Sequence, residues 1–221
     1  MKIVFWSDFN CPNSYIGLNR LRQAIEELNL EAEWEMKPFE LYPTAYDVPT
    51  NSMATEYVLK YGVNPEDAFK IMDETEKIAL EDGLNINYRD LRLTCTRKAH
   101  RLIKYCQNKH PKISIDLIFK IFEANFIDNE IIADIDVLVK LSSDLGLDEN
   151  EIRNFLESDS YDFEVQIDEE DAIVTGIEAI PFYMLNHREE QLTVPGAFEK
   201  DDFKIAIKDM ISGELESKTF I

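Results

Sequence analysis

The sequence predicts an α/β fold whose sheet is built from both ends of the chain, with a large all-helical insertion between them. Near the N-terminus, an apolar run at residues 3–6 and an alternating segment at 30–36 flank an amphipathic helix, which predicts strand, helix, strand. Near the C-terminus, residues 181–185 and 192–194 predict an antiparallel hairpin, which a last amphipathic helix follows. The residues from about 50 to 160 carry helical patterns throughout.

The N-terminal elements predict how the first strands are connected. In the second strand, Ala32, Trp34 and Met36 alternate with glutamates, so one face is buried and the other faces water. The first helix carries apolar residues at helical spacing, namely Leu18, Leu21, Ile25 and Leu28. Because a helix that links two strands in this way crosses over the sheet, the two strands are expected to be parallel.

The middle of the chain is predicted to form a separate helical unit. One helix starts at Asn64, where a capping residue precedes a proline and two acids, and another opens at Thr94 or Thr96. An apolar stripe at helical spacing is expected to lie in the core of this unit, and its members are Ile115, Ile118, Phe119, Phe122 and Phe126. We therefore predict a helical insertion domain at 46–159 and a discontinuous α/β domain formed by 1–45 and 160–221.

Cys11 lies where the first strand ends and the first helix begins. Pro12 fits the first helical turn, where its missing N–H is not needed. Unpaired backbone N–H groups and the positive end of the helix dipole surround a residue at this position. Both favour a thiolate, so the position predicts a lowered pKa for Cys11. The alternative is that Cys11 is simply a small buried residue.

Three separated patches of the sequence resemble one known family. They are C-P-N-S-Y-I-G at residues 11–17, T-R-K-A-H-R-L at 96–102, and G-I-E-A-I-P-F-Y at 176–183 followed by V-P-G-A at 194–197. They are similar to C-P-W-C-Y-I-G, N-T-x-x-A-H-R-L, G-V-x-G-V-P-F-F and V-S-G-A of the DsbA-like branch of the thioredoxin superfamily, in particular the FrnE-like oxidoreductases. The resemblance implies a thioredoxin-like fold with a helical insertion.

Four residues depart from the pattern of that family. Ser14 stands where the family has its second active-site cysteine, and Asn13 replaces the tryptophan between the two cysteines. Cys95 replaces the asparagine that opens the second patch, and Phe198 replaces a glutamine after the last patch. The ordinary dithiol cycle of the family therefore cannot run through Cys11 and position 14.

The resemblance implies a site organised around Cys11 as nucleophile. The residue that matches Pro181 is a cis-proline facing the active-site cysteine, and the backbone of Ile180 would dock an extended peptide or glutathione. Pro12 and Asn13 are further candidates for substrate contact. Ser14 either donates a hydrogen bond to the thiolate or fills the space of the lost thiol.

Two further residues have alternative roles that the sequence leaves open. Cys95 is a candidate for a remote resolving thiol. His100 either contacts substrate near the groove or is structural, and a helix-borne histidine favours the structural role. Cys106 lies on an apolar helix face and is predicted to be core.

Composition excludes several functions. The 221 residues carry a net charge of −21, which disfavours nucleic acid and anionic membrane surfaces as partners. The three cysteines include no C-x-x-C pair and suit a reducing, cytoplasmic location, and no signal peptide is expected. The cysteines and histidines lack metal-ligand spacing, so no metal and no bound cofactor are predicted.

Three hypotheses of function follow. The first is a cytoplasmic thiol–disulfide oxidoreductase that uses the single thiol of Cys11 on protein or small-molecule disulfides, with glutathione as a candidate co-substrate. The second is a glutathione-using isomerase or transferase, because the fold resembles 2-hydroxychromene-2-carboxylate isomerases and kappa-class glutathione transferases. Those typically carry serine where this chain has Cys11. The third is a non-catalytic binding protein. The oligomeric state is left open, a homodimer included.

Overall fold

The structure, a computed structural model, describes residues 1–213, which form four β-strands and nine α-helices. In chain order the elements are β1 Lys2–Ser7, α1 Pro12–Glu27, β2 Glu33–Pro38, α2 Met53–Tyr61, α3 Pro65–Glu81, α4 Arg97–Lys109, α5 Pro111–Phe126, α6 Ile135–Ser143, α7 Glu149–Glu157, α8 Asp162–Thr175, β3 Phe182–His187, β4 Glu190–Pro195 and α9 Lys200–Ser212. No helix within residues 1–213 is both long and apolar enough to cross a membrane.

The strands form one mixed sheet in the order β2-β1-β3-β4. β1 is parallel to β2, with Phe5 beside Met36, and antiparallel to β3, with Phe5 beside Tyr183. β3 and β4 form the antiparallel hairpin that the sequence predicts. The parallel pairing of β1 and β2 through α1 and the joining of both chain ends in one sheet are therefore confirmed.

Helices cover both faces of the sheet. On one face α1 and α9 pack over β1 and β3, and Phe203 of α9 meets Tyr183 edge-on with ring centroids 5.6 Å apart. On the other face Trp6 forms a smaller buried cluster with Ala172 of α8 and with Ile177. The alternation of apolar side chains along β1 thus supplies both layers, which is why this central strand is nearly buried throughout.

The helical insertion packs directly on α1. Tyr15 of α1 stacks on Phe122 of α5 with centroids 5.1 Å apart and rings inclined by 7°, and Phe9 lies 4.9 Å from the same ring. The aromatic stripe of α5 is therefore core, as predicted. One cluster of buried apolar side chains runs from the sheet through the insertion. The division of the chain at residues 46 and 160 stays a prediction.

Residues 82–96 differ from the continuous helical pattern that the sequence suggests. α3 ends at Glu81, and Gly83 adopts a left-handed backbone with φ of 81°. The irregular segment that follows forms backbone hydrogen bonds with residues far away in the chain. The Asn87 N–H donates to the carbonyl of Phe126 at 2.6 Å, and the backbone of Arg92 forms an isolated antiparallel β-bridge with that of Ser52. The hairpin is also tighter than predicted, because β4 already begins at Glu190.

Gly17 allows α1 to approach the sheet closely. A Cβ at this position would lie 2.7 Å from the Tyr183 hydroxyl oxygen and 3.0 Å from the Cβ of Ala197. We predict that Gly17→Ala lowers the free energy of unfolding by about 1–3 kcal/mol, although alanine is the better helix former, because the added methyl overpacks the interface. Urea unfolding followed by circular dichroism measures this change.

Tyr183→Phe provides the matched control for that experiment. The Tyr183 hydroxyl has no hydrogen-bond partner in the described part of the chain, so its removal alone is expected to change stability little. In the double variant Gly17→Ala/Tyr183→Phe, the hydroxyl oxygen that lies nearest to the added methyl is absent. This variant should therefore recover part of the stability that Gly17→Ala removes. A Gly17→Ala variant as stable as the parent protein would contradict the packing argument.

Candidate active site

Cys11 is the N-cap residue of α1. Its backbone is extended, with φ of −101° and ψ of 109°, and Pro12 occupies the first helical position. The Cys11 N–H donates to the carbonyl of Asp8 at 3.0 Å, which closes the turn after β1. The predicted junction of strand and helix at the thiol is therefore confirmed. The residue is only 5% exposed, however, and its side chain makes no capping hydrogen bond to the helix.

The segment before β3 lies opposite the thiol. The peptide bond between Ile180 and Pro181 is cis, as the resemblance implies. The Cys11 thiol donates to the carbonyl of Ile180, with Sγ and O 3.9 Å apart. The carbonyl of Pro181 in turn accepts a hydrogen bond of 2.7 Å from the N–H of Gly196, which links this segment to the end of β4. Two parts of the chain that are 169 residues apart thus meet at the sulfur.

The pKa of the Cys11 thiol is raised to about 11, so the expectation of a lowered pKa is wrong for this structure. Burial is the main cause, because a thiolate loses its hydration there. Hydrogen bonds that the Ser14 hydroxyl and the backbone N–H groups of Ser14 and Asn13 would donate to a thiolate oppose the rise, whereas the negative charge of Asp8 adds to it. The helix terminus contributes what the sequence suggests, but desolvation is the stronger effect.

Ser14 lies three residues after Cys11, on the first turn of α1. Ser14 is fully buried, and its Oγ has no hydrogen-bond partner among residues 1–213. The Cys11 thiol is directed at the carbonyl of Ile180 instead. A hydroxyl donating to the Cys11 thiolate lowers the pKa of that group. A buried hydroxyl without a partner costs free energy. The choice between a hydrogen bond to the thiolate and mere space filling stays open.

Asp8 lies close to Cys11 in the chain, outside the three patches of resemblance. Its carboxylate is fully buried; Oδ2 accepts a 2.8 Å hydrogen bond from the N–H of Leu41, and Oδ1 lies 3.3 Å from Nε2 of His100. The imidazole also packs on the Phe9 ring, 5.1 Å away between centroids. The available signal was an acid at the end of a buried strand, three residues before the cysteine.

His100 does not lie on the surface of the groove. The residue is 2% exposed and faces Asp8 from α4. The role of His100, in substrate contact or in the structure alone, stays a prediction. The imidazole is a polar link between the helical insertion and the segment that carries Cys11.

The remaining candidate residues surround the thiol at different depths. Asn13 is exposed, Pro12 and Ile180 are half-buried, and Pro181 is buried. These four residues form the rim around the thiol, and their roles in substrate binding and catalysis stay predictions. No group of three or more His, Cys, Asp or Glu side chains within residues 1–213 is arranged to hold a metal ion.

Cys95 lies on a segment that is bonded to the neighbour of Cys11. The Asn10 side-chain amide donates to the carbonyl of Thr94 at 2.8 Å, and the Cys95 N–H donates to the carbonyl of Tyr46. Cys95 is half-buried, and burial is the main cause that raises its pKa. Its role as a resolving thiol stays a prediction. Cys106 is fully buried in the apolar core, as predicted.

Comparison with known proteins identifies the family. The sequence model of the family described as DSBA-like thioredoxin domain matches residues 2–208. The chain belongs to this family. The thioredoxin-like fold and the DsbA-like thiol–disulfide oxidoreductase family that the sequence suggested are therefore confirmed.

Three relatives extend this result. The chain is 28% identical to the uncharacterised protein YwbO of Bacillus subtilis over 214 residues, which cover 94% of this chain and 96% of that protein. A probable DsbA oxidoreductase from Streptomyces coelicolor superposes with a TM-score of 0.85 at 28% identity, covering 96% and 90% of the two chains. The cytosolic disulfide reductase DsbM from Pseudomonas aeruginosa, determined with GSH, shares the fold at 14% identity with a TM-score of 0.67, covering 96% and 100%.

The raised pKa predicts how Cys11 reacts with an alkylating agent. Because only the thiolate is nucleophilic, its alkylation by iodoacetamide should accelerate about tenfold per pH unit from neutral pH upward, without reaching a plateau below pH 10. Ser14→Ala should slow the alkylation of Cys11 at every pH below 10, because it removes a hydrogen bond to the thiolate. Peptide mass spectrometry separates Cys11 from the other cysteines.

Two controls define the result of the alkylation experiment. Cys11→Ser must abolish labelling of that peptide, and Ser142→Ala, which removes a buried helical hydroxyl of the insertion, should leave the profile of Cys11 unchanged. A rate that levels off near neutral pH would instead demonstrate the lowered pKa that the helix terminus alone predicts.

Proposed function

We propose that this chain is a thiol–disulfide oxidoreductase of DsbA/FrnE type that uses Cys11 as its single active-site thiol. The observation that carries the proposal is the position of the Cys11 sulfur, at the N-terminus of α1 and facing the Ile180 carbonyl before the cis-proline. Membership of the DSBA-like thioredoxin family supports it. With Ser14 in place of a second cysteine, the site has one redox-active sulfur.

The geometry supports a defined approach of the substrate. The Ile180 carbonyl is occupied by the Cys11 thiol, and Ile180 itself is half-buried at the rim. We propose that an extended disulfide-containing peptide, or glutathione, pairs with the backbone at Ile180 and releases the sulfur from this hydrogen bond. Because Cys11 is 5% exposed, this exchange also has to open access to the sulfur before reaction.

The proposed chemistry is thiol–disulfide exchange in two steps. The Cys11 thiolate attacks one sulfur of a disulfide R–S–S–R′, forms Cys11–S–S–R and releases R′–S⁻. Ser14 cannot attack this mixed disulfide, so an external thiolate attacks it, releases the Cys11 thiolate and leaves with R. At this point R′ is a free thiolate and R is a mixed disulfide with the external thiol. A second external thiolate that attacks this mixed disulfide releases R–S⁻, so two external thiols are oxidised to one disulfide while the original disulfide takes up two electrons.

We propose glutathione as the external thiol and the cytoplasm as the compartment. Glutathione supplies a small thiol to a site that lacks a resolving cysteine. All three cysteines are free thiols in the described part of the chain, which suits a reducing compartment. No bound cofactor is required, because both electrons pass between sulfur atoms.

The proposal predicts that a mixed disulfide accumulates on Cys11. Incubation with glutathione disulfide at pH 8.5, read by intact and peptide mass spectrometry, should give one glutathione adduct that persists until reduced glutathione is added. Ser14→Cys should restore a second thiol on the same helical turn, so the adduct is displaced as an internal disulfide forms. With reduced glutathione present, this variant should then reduce insulin disulfides faster than the parent chain, whose mixed disulfide has to wait for the external thiol.

Matched variants define the outcomes of this experiment. Cys11→Ser should form no adduct at that peptide, and Cys95→Ser should leave the lifetime of the adduct unchanged unless Cys95 resolves it. If neither the parent chain nor Ser14→Cys forms a disulfide at Cys11 while both remain folded, the redox function is wrong. The non-catalytic binding role would then account better for the site.

A further inference from the structure

Arg20 is a buried cation on α1, the helix that Cys11 caps. A buried guanidinium needs partners both for its charge and for its N–H groups. Its Nε donates to Oδ2 of Asp82 at 2.7 Å, and its Nη2 lies 3.0 Å from Oε1 of Glu199. Its Nη1 donates to the carbonyl of Ala197 at 3.1 Å. One side chain thus joins α1 to two segments that are far apart in the chain.

The first of these segments, residues 196–199, connects β4 to α9 and packs along α1. The Nη1 group of Arg20 contacts two of its backbone carbonyls, that of Ala197 and, at 3.4 Å, that of Phe198. Nearer to the start of the helix, a Cβ at Gly17 would lie 3.0 Å from the Cβ of Ala197, so helix and segment are in close contact there. Segment 196–199 is therefore fixed on α1 both by packing and by hydrogen bonds.

Gly196 connects this segment to the residues that face the thiol. Its backbone lies in the left-handed region, with φ of 92°, and its N–H donates to the carbonyl of Pro181 at 2.7 Å. The preceding carbonyl, that of Ile180, accepts the hydrogen bond of the Cys11 thiol. A continuous path of contacts therefore runs from Arg20 through segment 196–199 to the Ile180 carbonyl and returns to α1 at the sulfur.

The second segment belongs to the helical insertion and orients the guanidinium. Asp82 follows the last residue of α3, and its side chain is 15% exposed. Its backbone carbonyl accepts a 3.1 Å hydrogen bond from the side chain of Asn19, the neighbour of Arg20 on α1. Because Asp82 binds Nε, the opposite side of the planar guanidinium is directed at segment 196–199. The insertion thus contributes to the position of the residues opposite Cys11.

We propose that Arg20 is a positioning residue for the reaction of Cys11. It fixes segment 196–199 and, through Gly196 and Pro181, keeps the Ile180 backbone where a disulfide substrate is bound against the thiol. Arg20 exchanges no proton and no electron in the reaction, and its effect passes through the backbone of the segment. The inference rests on the proposed function, because that function assigns the binding of the substrate to Ile180.

Arg20→Lys tests the proposal through two reactions of Cys11. Lysine keeps the positive charge but lacks the planar fork that reaches Asp82 and segment 196–199 together. At pH 8.5, peptide mass spectrometry follows the formation of the glutathione adduct from glutathione disulfide and, separately, alkylation by iodoacetamide. Glutathione disulfide has to bind at Ile180, whereas iodoacetamide needs only access to the sulfur.

The two rates should change in opposite directions. Alkylation of Cys11 in Arg20→Lys should be severalfold faster than in the parent chain, because the segment that covers the sulfur is less firmly fixed. Adduct formation should be slower, because Ile180 is displaced from the position that binds the substrate. The ratio of the adduct rate to the alkylation rate should therefore fall by about tenfold or more, as expected when a binding group is misplaced. General loosening of the fold would raise both rates.

Arg101→Lys is the matched control. Arg101 of α4 is also buried, and its guanidinium donates to the carbonyls of Ser158 and Ser160, in the segment between α7 and α8. This variant loses the same kind of contact elsewhere in the fold, so both rates should stay at the parent values. Asp82→Asn is a milder change at the proposed path and should lower the ratio by a smaller factor. Circular dichroism and thermal unfolding establish that each variant is folded, and Asp82→Asn decides the question if Arg20→Lys does not fold.

Several outcomes would overturn the proposal. They are a ratio in folded Arg20→Lys equal to that of the parent chain, an equal fall of the ratio in Arg101→Lys, and, where Asp82→Asn decides, an unchanged ratio in that variant. If the parent chain itself forms no glutathione adduct, the proposed function is wrong. The alkylation rate then still tests the path of contacts, because Arg20→Lys has to react faster than both the parent chain and Arg101→Lys. The two failures are therefore distinguishable.

Discussion

The arrangement of the site depends on how the short segment after β1 is bonded to the helical insertion. Asp8 contacts His100, the carbonyl of Phe9 accepts a 2.8 Å hydrogen bond from the Asn125 side chain, and Asn10 donates to Thr94. The next residue is the cysteine. Hydrogen bonds in such a buried place are strong when made and costly when lost. The insertion therefore fixes the position of the thiol as firmly as the sheet does.

The sequence is sufficient wherever the determinant of structure is local. The helix predicted to start at Asn64 does so, and Asn64 caps α3 by accepting a hydrogen bond from the N–H of Asp67. The conformation of residues 82–96 is not predicted by the sequence pattern, because their backbone groups bond to residues far away in the chain. The N–H of Asn87, for example, needs the carbonyl of Phe126, and no periodic pattern records such a pairing.

In the site, too, local sequence identifies some residues, whereas other properties depend on contacts with residues far away in the chain. Cys11 and Pro181 are identified from a strand end, a helix start and a resemblance of motifs, and both lie where the motifs place them. The ionisation of the thiol depends on burial and on charges brought by the fold, so the helix terminus alone predicts the wrong direction. Asp8 lies three residues before the motif that begins at Cys11, and its partner His100 is 92 residues away in the chain.

The position of β1 between β2 and β3 has a consequence for the protein while it is being made. Cys11 and the carbonyl of Ile180, which accepts its hydrogen bond, are separated by 169 residues. At about 5–20 residues per second, roughly ten to thirty seconds of translation separate their synthesis. During that interval the nascent chain has its thiol but neither the acceptor nor the β3 neighbour that covers it. Oxidants and electrophiles in the cell therefore meet an open cysteine on the growing chain and a covered one on the finished protein.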